Sequence, residues 1–186
     1  MNELITILEK SEIFNKCISF LVDSDISNWF ICAGFIQQIY FNYRHGYELH
    51  ENINDVDIAY FNPMDLSEET EQKLEAEINS IIGHRNIVAD VKNQARVHLW
   101  YKAKFGYEVK PYRDIFDAID SFPTTTTTIG VRKNKNNQYF IYSSYGLDDL
   151  FNLIHRANKV KITKEIYDKK KSKISKYWNK VKIVEW

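Results

Sequence analysis

Two aspartates separated by one residue inside an apolar run, Asn54-Asp55-Val56-Asp57-Ile58-Ala59-Tyr60-Phe61, limit the folds open to this chain more than any other feature. Extended backbone projects residues i and i+2 from one face with Cα atoms roughly 6–7 Å apart, so a strand here turns both carboxylates toward the same space. Crowding two like charges against apolar neighbours is unfavourable unless a cation compensates them. The run therefore points to a metal held on a strand. A half-exposed strand with its acidic face in solvent is the other reading, because Asp-x-Asp is short enough to recur by chance.

The rest of the chain supplies a setting for such a strand. A length of 186 residues suits a single core that buries about 70% of the extended chain's surface. A hydrophobic content of 44% and an aromatic content of 15% argue for a folded globule rather than a disordered binder. Lys+Arg and Asp+Glu are equal at 25 each, so total charge does not call for a polyanionic partner. Its distribution is uneven, with acids through the middle and lysines from Lys159 onward. That lysine-rich segment is either a solvated helix face or a surface for RNA or DNA. Cys17 and Cys32 lack metal-ligand spacing and read as buried thiols in a reducing compartment. The start of the chain carries no secretory pattern, and no apolar segment reaches about 18 residues, so the expectation is a cytoplasmic protein without a membrane partner.

Periodicity divides the chain into short elements. Leu4 to Leu21 fits two amphipathic helices interrupted by Asp23-Ser24-Asp25. Asn28 to Gly34 reads as a buried strand that turns at Gly34 into a helix ended by His45-Gly46. A glycine at such a junction admits a ligand close to the backbone, and the helix start offers unpaired N–H groups to anionic oxygens; close packing is the alternative. Ser67 caps an acidic helix, and Ile87 to Lys92 forms a second strand that brings Asp90 to the acid pair if the two strands are neighbours. Arg96 is a candidate clamp for phosphate or carboxylate, or else a salt-bridge partner that orients Asp90. His98 is a ligand, a base, or a hydrogen-bonded structural residue beside Trp100. Thr124 to Thr128 is either a linker or an extended segment whose hydroxyls meet phosphate, base edges or a buried edge. A hairpin links Ile129-Gly130-Val131-Arg132 to Gln138–Tyr142. Asp148 and Asp149 lie near the positive end of a short helix, where they cap or orient it, with catalysis as the other reading, and a lysine-rich helix with a docking element follows. No linker divides the chain, so a single domain over residues 1–186 is expected, with a core at 29–150 and helical additions on either side.

Taken in order, Trp29-Phe30-Ile31-Cys32-Ala33-Gly34-Phe35-Ile36, Asn54 to Pro63, Val91 to His98, Ile129-Gly130-Val131-Arg132 and Gly146 to Phe151 resemble small bacterial nucleotidyltransferase-like proteins of the DNA polymerase β nucleotidyltransferase superfamily. The resemblance implies an α/β (α+β) fold, a small mixed β-sheet of minimal nucleotidyltransferase type flanked by helices. It also implies that Asp55, Asp57 and Asp90 are catalytic metal ligands for Mg²⁺ or Mn²⁺, and that Gly34 faces a nucleotide phosphate, with Arg96 or Arg132 as added positive charge. The reaction implied is transfer of a nucleoside monophosphate from a nucleoside triphosphate to an unknown hydroxyl acceptor, small molecule or macromolecule, with paired ions serving both ends of the displacement. Phe35, Gln37 and Thr124 stand where relatives carry polar or charged residues. They keep open a catalytically degenerate nucleotide-binding or interaction module.

Overall fold

The amphipathic start of the chain forms α1 (Asn2–Leu8) and α2 (Glu12–Asp23) in a computed structural model that describes residues 2–160 and 162–186. Met1, and Lys161 within the lysine-rich segment, lie outside the described residues. Helix α2 begins where the Phe14 N–H donates to the Ser11 hydroxyl at 3.0 Å, and its buried stripe Ile13, Phe14, Cys17, Ile18 and Leu21 follows helical spacing. The chain continues through β1 (Trp29–Cys32), α3 (Ala33–His45), β2 (Asp55–Tyr60), α4 (Glu68–Ile82) and β3 (Val88–Asn93). A 3-10 turn at Gln94–Arg96 leads into α5 (Val97–Phe105), then α6 (Ile115–Ile119), β4 (Ile129–Lys133), β5 (Tyr139–Ser143), α7 (Asp148–Phe151), β6 (Ile154–His155), α8 (Lys164–Tyr177) and β7 (Lys182–Ile183).

The main sheet has the order β3-β2-β1-β4-β5. Only β2 and β3 run parallel; β1 is antiparallel to both β2 and β4, and β4 to β5. This is the small mixed sheet flanked by helices that the resemblance implied. Register decides what the sheet presents, because Asp57 stands directly opposite Asp90 on β3. Helix α3 is buried on most of its circumference and forms the spine to which the end of the chain docks. There Trp178, fully buried, donates from Nε1 to Asn42 Oδ1 at 2.7 Å. Lys180 donates from its backbone to His45 Nε2, and β7 pairs with β6. Among the described residues, no helix is long and apolar enough to cross a membrane.

Two local expectations are corrected. Ser67 occupies the cap position of α4 without accepting from a helix N–H; its hydroxyl donates instead to Asp65, which also accepts from Thr70. The threonine run is neither linker nor extended segment. Thr124 through Thr128 form a buried turn in which hydroxyls serve one another and nearby carbonyls. Gln37 donates to Thr126 and Thr125 donates to Asp149. Buried polar groups require partners, and a compact turn supplies five hydroxyls with them more readily than a strand exposed on one side.

Candidate functional site

Adjacent strands bring the three acids together. Ligand oxygens of Asp55, Asp57 and Asp90 all lie within 4.8 Å of one another. Asp55 and Asp57 share a face of β2 through alternation, and the parallel pairing of β2 with β3 adds Asp90. The triad lines a cleft of about 430 Å³. Burial, and secondarily the Asp55 carboxylate, push Asp57 up to about 7 against the opposing pull of the Phe35 N–H and Lys170. Three hard oxygen donors whose charges disfavour one another match the needs of a divalent cation. The donor set thus fits Mg²⁺ or Mn²⁺.

The start of α3 supports this set. Ala33, with φ of +53°, makes the reversal that sequence assigned to Gly34. Gly34 serves through its missing side chain, because a Cβ there would lie 2.9 Å from Gln38 Nε2 and 3.2 Å from Asp57 Oδ2. The next N–H, of Phe35, donates to Asp57 Oδ2 at 3.0 Å. One of the unpaired amides of the helix start is thereby spent on holding the aspartate. On the opposite side, Asp90 meets Lys92 at 2.8 Å, and Lys92 meets Glu75 at 2.6 Å.

Neither arginine named from sequence reaches this place. Arg96 is directed toward α4, where it meets Glu71 at 2.6 Å and the Leu66 carbonyl at 3.1 Å. Glu71 is only 3% exposed, so the arginine neutralises a buried carboxylate and orients α4 rather than Asp90. Arg132 lies on β4, with its guanidinium over the rings of Phe30 and Phe140 at 5.1 and 5.0 Å; it lines a different surface hollow. Gly130 in the same motif answers to packing, since a Cβ would stand 2.8 Å from the Phe30 ring. His98 is not a fully hydrogen-bonded residue, because its buried Nδ1 has no partner among the described residues. Asp149 accepts from Thr125 and Arg156 and has a structural task.

Beside Lys92, the positive charge lining the cleft comes from α8. Lys170 and Lys173 line the cleft, and Lys173 donates to Gln38 Oε1 at 3.1 Å. Sequence reading placed these lysines on a solvated face or a nucleic-acid surface. The available signal was spacing, because Ile166, Lys170, Lys173 and Ile174 fall on one helical face and all four line the cleft. Trp100 and Tyr101 from α5, with Phe105 at its end, form an aromatic wall. Cys32 also borders the cleft, but burial raises its thiol well above the ordinary value; it is not a nucleophile at neutral pH.

A profile of the family described as Nucleotidyltransferase matches residues 20–183. A search of curated proteins finds no significant match. Among solved structures, the chain is similar to one described as "The NMR structure of the protein reveals a CCA-adding enzyme head domain". That similarity has a TM-score of 0.77 at 20% identity and covers 100% of this chain and 96% of the other.

Proposed function

This chain belongs to the nucleotidyltransferase family, and through it to the polymerase-β-like superfamily, and from that membership we propose that it transfers a nucleoside monophosphate from a nucleoside triphosphate to a hydroxyl acceptor. The convergence of Asp55, Asp57 and Asp90 on two parallel strands carries this reading. The three carboxylates would hold divalent cations, magnesium or manganese. When bound, these ions orient the triphosphate and offset charge developing on the departing pyrophosphate.

The chain's own residues prepare the rest. Phe35 fixes Asp57 through its N–H, and Gly34, having no side chain, lets Gln38 and Asp57 close in on the start of α3 where it borders the cleft. Lys170 and Lys173 hold the phosphates from across the cleft, the task that sequence assigned to Arg96 and Arg132. Asp90 stands on the acceptor side and takes the hydroxyl proton as the new oxygen–phosphorus bond forms and the bond to pyrophosphate breaks. Residues 29–150 act as the core, with the flanking helices as additions to one domain. The ordered motifs group the chain with small bacterial members, and the buried free thiols Cys17 and Cys32 suit the cytoplasm.

The test incubates the protein with Mg²⁺ or Mn²⁺, each of the four common nucleoside triphosphates and pooled cellular acceptors. Pyrophosphate release with a mass increment on an acceptor supports the proposal. Folded protein that yields neither, beside a working control, contradicts it.

One observation favours a second reading. Lys92 already sits 2.8 Å from Asp90, which suits a degenerate nucleotide-binding module with one acid neutralised. Nucleotide binding without turnover, unchanged by Asp90→Asn, selects that reading.

A further inference from the structure

His155 lines the cleft, and the transfer reaction leaves its chemistry unused. It is 1% exposed, yet neither ring nitrogen finds a hydrogen-bond partner among the described residues, and the residue lines the cleft. One face of the ring is stacked on Tyr167 at 5.4 Å and 11°. Tyr167 donates to the His155 carbonyl, so the imidazole is held from its own backbone outward. Leaving a buried donor and a buried acceptor unmade costs stability. A fold keeps such a group where a ligand or an ordered water completes it.

The surroundings identify the ligand's part. Lys170 lines the same cleft as Asp57 and His155, and its ammonium acts on both. Apolar lining comes from Ile166 in the first turn of α8 and from Ile162 just before the helix. The segment after His155 runs alongside Pro123 and Thr125, with Asn158 N–H donating to the Pro123 carbonyl at 2.9 Å and Thr125 N–H to the Arg156 carbonyl at 3.1 Å. Phe122 and Pro123 line the cleft as His155 does. Burial and Lys170 hold the imidazole down to about 4, so at neutral pH it offers one donor and one acceptor and no charge. A polyphosphate seeks cations, which α8 supplies elsewhere. A neutral donor and acceptor inside an apolar wall suit the edge of a planar heterocycle.

We propose that His155 reads the nucleobase, with Phe122, Ile162 and Ile166 enclosing it, and so sets which nucleoside triphosphate the cleft prefers. This inference rests on the nucleotide reading above. A site built to hydrogen-bond a substrate discriminates strongly against one that leaves its buried groups unpaired.

The test measures calorimetric binding of the four α,β-methylene nucleoside triphosphates, with Mg²⁺, to the wild type, His155→Phe and His155→Gln. The expected wild-type preference for one base is about tenfold, falling to within about threefold in His155→Phe, the scale of one lost hydrogen bond. His155→Phe keeps the ring stack on Tyr167 and removes the orphaned nitrogens, so its nucleotide-free melting temperature is expected to rise; a histidine with a purely structural role would make it fall, and that fall overturns the proposal. An unchanged base ranking, equal loss of affinity for all four analogues, or no ranking in the wild type also overturns it while leaving the transfer reaction standing. A wild type that binds none of the four overturns both. Should the variants not fold, ¹⁵N-histidine NMR of the wild type decides. The ring resonances of His155 are expected to move with the preferred analogue and not with tripolyphosphate; movement with tripolyphosphate alone sinks the idea.

Discussion

Asp57 bears opposing demands. Burial and Asp55 disfavour its charge, whereas a divalent cation requires it. Asp57→Asn is expected to melt at a higher temperature than wild type without metal, because the repulsion is gone. It should also lose the metal-dependent stabilisation, which reaches about 2.7 kcal/mol when metal is at 100 times its Kd. Turnover should drop by more than the roughly 10–100-fold typical of losing an outer-shell partner. Calorimetry with and without Mg²⁺ and a pyrophosphate assay check the three outcomes. Lys173→Ala removes a cation and its bond to Gln38 while leaving the acids in place. KM for the nucleoside triphosphate should rise about tenfold with a smaller change in kcat, as expected when charge-assisted contact to ground-state phosphate is lost. A kcat loss at unchanged KM would refute the phosphate assignment. The acids were legible in the sequence because alternation alone puts Asp55 and Asp57 on one face. The lysines were not, because helical spacing shows that Ile166, Lys170, Lys173 and Ile174 share a face but not which surface that face meets. Arg96 misled for a related reason, since its partner Glu71 belongs to an element whose approach only tertiary packing sets.

At the scale of elements, the two glycines of the matched motifs make different demands. Gly130 on β4 faces the Phe30 ring and the end of Ile119, at 2.8 and 3.0 Å from an added Cβ. Gly130→Ala therefore overpacks the junction of β1, β4 and α6 and should cost about 1–3 kcal/mol in urea unfolding. Gly34→Ala meets only side-chain atoms, Gln38 Nε2 and Asp57 Oδ2. It is expected to lower metal affinity with a smaller loss of stability, because Gln38 can rotate while Asp57 is displaced. Equal stability losses in the two variants would contradict this division. Most elements could be read from periodicity and punctuation: Gly46 and Gly83 both end helices in the left-handed conformation, and the β4–β5 turn falls where asparagine and lysine cluster. The threonine run could not. Its turn is determined by Gln37, Asp149 and its own hydroxyls, partners remote in sequence that outweigh the local preference of threonine for extended backbone.

For the whole molecule, burial of His155 ties stability to pH. The folded state keeps the imidazole neutral down to about 4, whereas an unfolded histidine takes up its proton near 6.5. Between those values the unfolded chain binds a proton that the folded chain does not, so this group lowers stability as pH falls from about 6.5 to about 4 and adds no further slope below. The loss is up to about 3 kcal/mol. Subtracting the urea-unfolding profile of His155→Phe from that of the wild type isolates it; a flat difference across this window would show that the histidine is not shielded. The same burial reflects how the end of the chain closes the structure, with Trp178 seated against α3, β7 paired to β6, and α8 laid across the cleft. A ribosome therefore exports the acidic half of the cleft well before the cationic half. On the proposed function, a nascent chain carrying all three aspartates still lacks the wall assigned to the triphosphate, so translation itself would delay the onset of chemistry until α8 has emerged and docked.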